Sequence, residues 1–441
     1  MLRKFSFSLF YLIAYALIFY GYYKFIVPIY GYSGFKWNPD NIKIIEGVLL
    51  TAVLPYFLPK YFNKPSDILL HIQLLFPILP MFVLYGAGGD SREYLYYTVT
   101  AFLLMRLIAS RLHLKAIRVT NLSPIIFQRL LLAISWSVIG SIILFGGIKY
   151  LNFDLSKVYE FRADAAANLP GIYGYLSSLT SKVLLPFSLL LAVINKDRFF
   201  ALASIAGSVM MFGLIAHKSP LFYPFAVLAL YFILQTKNVI KMLLYGYLFI
   251  VGISLLGFAV GGLGDWVGSL MLRRTYIVPA HLNYLYYDFF STSPFVFWAE
   301  SKITFGLLES PYNINIPHLI GREYYDNDLT GANTGWIGAG YSNAGFFGML
   351  VYAAIIGILM SLLDSYSKFI DKRIIVAIIV APIRTIMMSS DLPTAFLNHG
   401  VILSLILFAM FAPVNLPNTK IRPVRASRNE NRPSNFSSPA T

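Results

Sequence analysis

Four arginines between apolar segments offer the clearest chemistry in this sequence: Arg162, Arg273, Arg274 and Arg322. A guanidinium group is always charged, and its planar fork of N–H donors matches two phosphate oxygens. Each arginine could instead lie at a membrane surface and pair with a neighbouring carboxylate, as Arg162 could with Asp164. We predict that at least one of the four binds an anionic group.

Two histidines and a glutamate near these arginines could transfer protons. His281 follows Arg274 by two turns if the stretch is helical, so the two side chains would share a face. His318 lies near Arg322 and Glu323. A positioned imidazole or carboxylate can take the proton of an attacking hydroxyl, although a hydrogen-bonded structural role is the alternative for each histidine. The carboxylates of the same stretch also include Glu300, Glu309, Asp326 and Asp328.

The sequence does not favour a metal site. Asp326 and Asp328 form an Asp-x-Asp pattern, but a calcium loop starting there would have Ile337 where its bidentate glutamate belongs. The chain has no cysteine, which excludes disulfides and thiolate metal sites. We therefore predict no metal or other cofactor, and we interpret the two aspartates, followed by Gly331, as part of a turn.

Glycines and aromatic residues are concentrated late in the chain. Six glycines lie between 331 and 348, some at helical spacing, which indicates close helix packing. The alternative is a close approach of the backbone to a lipid or a sugar. Aromatic residues are frequent between 286 and 298, which is typical of an interfacial belt, with stacking on sugar rings as the alternative.

The elements that position these residues must be membrane helices. The chain is 57% hydrophobic and 12% charged, whereas soluble domains carry about 25% charge. Its apolar blocks of about 17–25 residues match helices that cross a bilayer, and the alternation of a β-barrel is missing. We predict an all-α polytopic integral membrane protein with about 12 transmembrane helices. The expected spans are 6–28, 42–58, 68–87, 94–110, 124–147, 171–194, 199–216, 220–235, 241–262, 336–362, 374–390 and 398–413.

The predicted organisation is a single transmembrane domain over 1–414, with external segments at 148–170 and 263–335. With an inner N-terminus, the inner loops and span ends hold 19 Lys and Arg against 11 on the outside, which predicts that both termini are cytoplasmic. The net charge of +15 then reflects topology and contact with anionic lipids, not nucleic-acid binding. The remaining residues, 415–441, predict a disordered basic cytoplasmic tail.

This arrangement resembles the bacterial oligosaccharide repeat-unit polymerases, the Wzy-type O-antigen and capsule polymerases. The likeness covers roughly residues 140–410, and three short sequences carry it: YEFR at 159–162, RRTYIVP at 273–279 and GANTGWIGAGYSNAGFFG at 331–348. It implies a polytopic glycosyltransferase fold of the GT-C type. It also implies metal-independent transfer of a glycan from undecaprenyl diphosphate to a second lipid-linked repeat unit, at the periplasmic face of the bacterial inner membrane.

Residue roles follow from this chemistry and not from a family signature. The diphosphate leaving group would be held by Arg162, Arg273, Arg274 and Arg322, and the acceptor hydroxyl would be activated by His281, His318 or Glu323. The expected partners are undecaprenyl-diphosphate-linked glycans as donor and acceptor, membrane lipids and a chain-length regulator protein.

Three other functions remain open. An O-antigen ligase would have the same architecture with lipid A core as its acceptor. A flippase for lipid-linked sugars would need cations lining a cavity within the spans, where the sequence offers few candidates. Those candidates are Lys24, Arg106, Arg129, Lys182 and Arg384. A non-catalytic scaffold fits least, because it would not need several charged external segments.

Overall fold

A computed structural model describes residues 2–120, 122–154 and 170–411, and it describes side chains from Phe7 onward. Arg162 and the predicted tail lie outside these ranges. Every regular element in the described part of the chain is a helix, and the only strand-like pairing there is an isolated bridge between Leu122 and Phe411. The prediction of an all-α membrane protein is therefore confirmed at the level of fold class.

Fifteen helices are numbered here in chain order, and helices that continue one another through a wide π-helical turn share a number. They are α1 (2–30), α2 (Asn41–Val53), α3 (Pro65–Gly88), α4 (Arg92–Arg111), α5 (Pro124–Leu144), α6 (Ile172–Ile194), α7 (Arg198–Ile215), α8 (Ser219–Ile233), α9 (Val239–Val260), α10 (263–290), α11 (Ile316–Tyr325), α12 (Trp336–Tyr366), α13 (Lys372–Met388), α14 (Leu392–Asn398) and α15 (Val401–Met410).

Seven of these helices, in the described residues, are long and apolar enough to cross a membrane: α1, α3, α5, α6, α7, α9 and α12. The pair α14–α15, bent by 46° at its break, would make an eighth span. The other four predicted spans are also helices, but α2 has 13 residues, α8 has 15 and α13 has 17. The fourth, α4, is long enough but carries four charged residues. The count of twelve spans thus stays a prediction.

Each wide π-helical turn adjoins a proline. The four turns are Tyr22–Ile26, Leu74–Ile78, Thr180–Leu184 and Ser269–Ile277. Pro77 lies inside the second turn, and Pro28, Pro186 and Pro279 follow the other three within two residues. Proline lacks an N–H and its ring crowds the carbonyl of the preceding turn, so a local widening keeps the other backbone groups bonded inside a membrane helix.

The glycines of α12 form a tight helical hairpin. Ala344 and Gly345 have non-helical backbone angles, and Gly345 has a φ of +59°. The short arm 336–343 folds back on the start of the long arm, so closely that a Cβ added to Gly348 would lie 2.0 Å from the carbonyl oxygen of Gly340. The predicted role of these glycines in close packing is confirmed. The hairpin holds the irregular segment 291–315 at one end of the bundle, which we call the loop end.

The stretch 263–290 is a helix that packs within the bundle, although the sequence placed it in an external segment. This helix, α10, contacts α9, α12 and the middle of α3. It is not among the candidate spans. The short arm of α12 is fixed beside it by the fully buried Trp336, whose Nε1 donates a hydrogen bond to Gln73 Oε1 at 3.0 Å.

Candidate functional site

The predicted base His281 is buried inside the bundle. Its ring lies 4.9 Å from that of Phe35, centroid to centroid, and no residue that the structure describes forms a hydrogen bond with its Nε2. Burial, with a smaller contribution from Lys36, lowers the pKa of His281 to about 4, so the imidazole is neutral at pH 7. Arg274 is exposed on the same helix. The expected common face is therefore not formed, because the wide turn Ser269–Ile277 shifts the helical register between the two side chains.

The predicted phosphate ligands on the helices have local partners. Arg273 lies 4.2 Å above the ring of Tyr30, and its Nε donates to Ser269 Oγ at 2.9 Å. Arg322 Nε is 3.9 Å from Asp328 Oδ1, and both side chains are more than half exposed. Such a pair contributes little to stability.

His318 and Glu323 lie on α11, at the surface of the loop end. His318 Nδ1 donates to the carbonyl oxygen of Asp328 at 2.7 Å, which leaves its Nε2 free to accept a proton in the neutral ring. Glu323 is exposed. Asn327 Oδ1 accepts from Leu329 N at 2.8 Å, so the predicted turn around the two aspartates is confirmed. No contact between His318 and His281 occurs in the described residues.

A polar pocket at the loop end brings together residues that the sequence analysis kept apart. About 450 Å³ of space, part of it open solvent, lies between its walls. Its walls come from α10, from the segment after it, from the start of α11, from the residues just before α12, from the short arm of α12 and from the residue before α14. The residues that line it are Tyr286, Val296, Trp298, Glu300, Ser301, Ile316, Pro317, Asn333, Thr334, Ala339, Ser342, Asn343 and Asp391.

Asp391 is held in the pocket by a chain of hydrogen bonds. Tyr352 donates its hydroxyl to Asp391 Oδ1 at 2.6 Å, and Trp298 Nε1 donates to the same tyrosine hydroxyl at 2.8 Å. Asn343 Oδ1 accepts from Trp298 N at 2.7 Å, and Asn343 Nδ2 donates to Ala339 O at 2.8 Å. The carboxylate is thus oriented by side chains that are themselves fixed, which is the arrangement that a precise site requires.

The second carboxylate, Glu300, lies at the mouth of the pocket. Its two oxygens accept from Ile316 N at 3.1 and 3.2 Å. Burial raises the pKa of Glu300, although the bond from Ile316 opposes this. Burial also raises the pKa of Asp391 to about 6, and the charge of Glu300 adds to the increase, while the bonds from Tyr352 and the backbone of Leu392 oppose it. Asp391 can therefore gain and lose a proton close to neutral pH.

The backbone around the pocket is strained at Phe297 and Trp298. Both have positive φ angles, +48° and +62°, which side chains with a Cβ rarely adopt. Two backbone bonds to the end of the short arm of α12 hold this conformation, from Val296 N to Ser342 O at 3.0 Å and from Phe297 N to Asn343 O at 2.9 Å. In this conformation Trp298 Nε1 reaches the Tyr352 hydroxyl, and such strain is often found at functional sites.

Sequence reasoning considered Glu300 as one of several carboxylates and missed Asp391. The only sequence signal for Asp391 is its place between two apolar segments, directly before Leu392 and Pro393, where it also reads as an ordinary helix start. The pocket forms only because the hairpin of α12 carries Asn343 and Tyr352 to the same end of the bundle as Asp391.

No family model, curated protein or solved structure matches this chain. The fold and the pocket themselves define a helical multi-pass membrane protein with a carboxylate site at one end of its bundle.

Proposed function

We propose that this protein is a membrane glycosyltransferase that joins undecaprenyl-diphosphate-linked repeat units into an O-antigen or capsule-type polysaccharide. The observation that carries the proposal is the pocket at the loop end, which combines Asp391 and Glu300 with aromatic and amide side chains. Amide and hydroxyl groups suit the hydroxyls of a sugar, and Tyr286 and Trp298 suit its apolar faces.

In the proposed reaction, the acceptor sugar hydroxyl attacks the anomeric carbon of the donor glycan. The bond from that carbon to the diphosphate oxygen breaks, and the lipid diphosphate leaves as an anion. The hydroxyl proton passes to the ionised Asp391 carboxylate, which Tyr352 holds in place. Glu300 raises the basicity of Asp391 through its charge and could accept a hydrogen bond from the acceptor sugar.

The finer features of the proposal follow from the apolar segments, the Lys and Arg distribution and the resemblance. They are a GT-C fold with about 12 spans, a position in the bacterial inner membrane, cytoplasmic termini and a periplasmic pocket. The sequence-predicted base candidates His281, His318 and Glu323 remain alternatives to Asp391. Among them His318 fits best, because its Nε2 is free to accept a proton, whereas His281 is enclosed.

Glycan analysis of a strain that lacks the gene tests the proposal. Loss of long glycan chains, with single repeat units still attached to the lipid A core, is the result expected for a polymerase. Loss of every repeat unit from the core would identify a ligase, and unchanged glycans would refute both. Complementation with the Asp391→Asn variant should leave the chains short, while Glu309→Gln, an exposed carboxylate change in the same segment, should restore full length.

A flippase is the second candidate, because Lys182 of α6 and Arg384 of α13 lie close enough for their charges to repel, and a flippase needs such cations along its path. Detergent solution has no second compartment, so transport cannot occur there. If the purified protein lengthens lipid-linked glycans in detergent, it is a transferase. Movement of lipid-linked sugar across vesicles without any lengthening would instead support the flippase.

A further inference from the structure

A cluster of cationic and donor groups lies between α6, α13 and the break between α14 and α15. Lys182 Nζ donates to His399 Nδ1 at 2.6 Å, and Ser178 Oγ lies 3.3 Å from the same nitrogen. Lys182 is placed there by the wide turn Thr180–Leu184 of α6, which packs against α13. Wide turns of this kind occur often at functional sites.

Arg384 of α13 adds a second positive charge. It lies close enough to repel the Lys182 ammonium. The described part of the chain contains four salt bridges, and none of them includes Lys182 or Arg384. Two neighbouring cations without a carboxylate are unfavourable in a region of low dielectric, so a bound anion would stabilise this arrangement.

The hydrogen bonds define what the cluster presents to a ligand. An ammonium can only donate, so His399 Nδ1 is the acceptor and the neutral ring carries its proton on Nε2. Three sets of donors have no partner among the described residues: the remaining ammonium N–H bonds of Lys182, the Nε2–H of His399 and the guanidinium fork of Arg384. A set composed only of donors, two of them charged, suits an anion with several oxygens, such as a phosphate or diphosphate.

The depth of the cluster indicates where its ligand comes from. Lys182 is ten residues from the start of α6, a candidate span, which corresponds to about 15 Å along the helix axis. A charged residue at such a depth is costly unless it serves a function. Arg384 is exposed, four residues before the end of α13, so a ligand can reach it from outside the protein. A ligand that arrives within the membrane plane is therefore expected.

We propose that Lys182, Arg384 and His399 bind the phosphate or diphosphate group of a membrane lipid that enters the cluster from the bilayer. Helix α14 connects the cluster to the pocket, because Asp391 precedes it and His399 follows it, about 12 Å apart along the helix. A lipid diphosphate held here would extend its sugar toward Asp391. That last assignment, of the ligand as the donor substrate, rests on the proposed function, whereas the binding site does not.

Binding to the purified full-length protein in lipid nanodiscs tests the site. The probes are undecaprenyl diphosphate, phosphatidylglycerol and inorganic pyrophosphate, each measured by native mass spectrometry. The double variant Lys182→Gln with Arg384→Gln should bind undecaprenyl diphosphate at least about tenfold more weakly, as expected when two charged hydrogen-bond donors are lost. The control is Arg129→Gln, which removes an exposed cation that faces Phe200 in another span, and it should bind like the parent protein.

If the double variant is folded and binds undecaprenyl diphosphate as tightly as the parent protein, the proposed site is wrong. If that variant is unstable, Arg384→Gln alone serves as the test, since its exposed side chain can change without disturbing the core. Equal binding of inorganic pyrophosphate, with the same dependence on Lys182, would overturn the assignment to a lipid. Stronger binding of undecaprenyl diphosphate than of phosphatidylglycerol supports a diphosphate site, and the reverse order supports an anionic phospholipid site.

The glycans made by the same variants separate this inference from the proposed function. Variants that no longer bind the lipid but still make glycans of normal length would show that the site binds lipid without taking part in the reaction. Variants that make short glycans but bind the lipid normally would show that the cluster does not hold the donor.

Discussion

Neutralising Asp391 should stop glycan transfer and at the same time stabilise the protein. In Asp391→Asn the side chain keeps an oxygen for the hydroxyl of Tyr352, so the geometry of the pocket is retained. The amide cannot accept the proton of the attacking hydroxyl, however. We expect the rate of transfer to fall by about 10²–10⁴-fold, which is the usual effect of removing a general base.

The pH dependence follows from the raised pKa of Asp391. With a pKa of about 6, about 90% of this carboxylate is ionised at pH 7 and about 10% at pH 5, so kcat/KM should fall about tenfold between these values. Glu300→Gln should move the midpoint to lower pH, because the charge of Glu300 is one cause of the raised pKa. A flat profile between pH 5 and pH 8, or a midpoint that moves upward in Glu300→Gln, would refute the role of Asp391.

Stability supplies an independent readout of the same carboxylate. Its pKa in the folded protein is about 6 against an ordinary 3.8, so the folded state binds the proton more tightly than the unfolded state and loses stability as pH rises from about 4 to above 6. Asp391→Asn should therefore increase the free energy of unfolding at pH 7.5 by at most about 3 kcal/mol and raise Tm accordingly. Near pH 4 the substitution should leave Tm unchanged. A lower Tm at pH 7.5 would show that Asp391 has a structural role.

Three further outcomes are expected. Gly348→Ala should lower Tm markedly, because its Cβ would lie 2.0 Å from a carbonyl oxygen of the opposing arm, while Gly246→Ala, with open space around it, should not. Trp298→Phe should reduce transfer about tenfold with little change in Tm, since it removes one hydrogen bond that orients the pocket. In this cysteine-free chain, a cysteine at Asn315 should react with an impermeant thiol reagent in intact cells and one at Asn63 should not; the opposite labelling would reverse the orientation.

The membrane class of this protein could be predicted from the sequence because span length is a local property. A block of apolar residues either is long enough to cross the hydrocarbon or is not, and neighbours in space do not change that. The close packing of the glycines around α12 could be predicted from their number and short spacing, although the hairpin that brings Gly340 against Gly348 could not. The turn at Asp326–Asp328 follows from its own residues.

The number of spans, and which residues meet at one end of the bundle, depend on contacts between distant segments. Helix α10 carries charged and polar residues, and the sequence placed it outside the bundle. It lies within the bundle because α9, α12 and α3 cover its apolar face. Its wide turn changes the register, so His281 is buried while Arg274 is exposed, an outcome that regular helical spacing could not predict.

Sequence alone determined that this chain is an α-helical membrane protein, and it identified basic and titratable residues suited to phosphate and proton chemistry. Only the tertiary structure decided which of them meet. Tyr352 and Asp391 are 39 positions apart, and Lys182 and His399 are 217 positions apart. Their meeting depends on a hairpin, a bent helix pair and a widened turn, which set the register and direction of separate helices. These features arise from packing between distant segments, so the sequence of any one segment does not contain them.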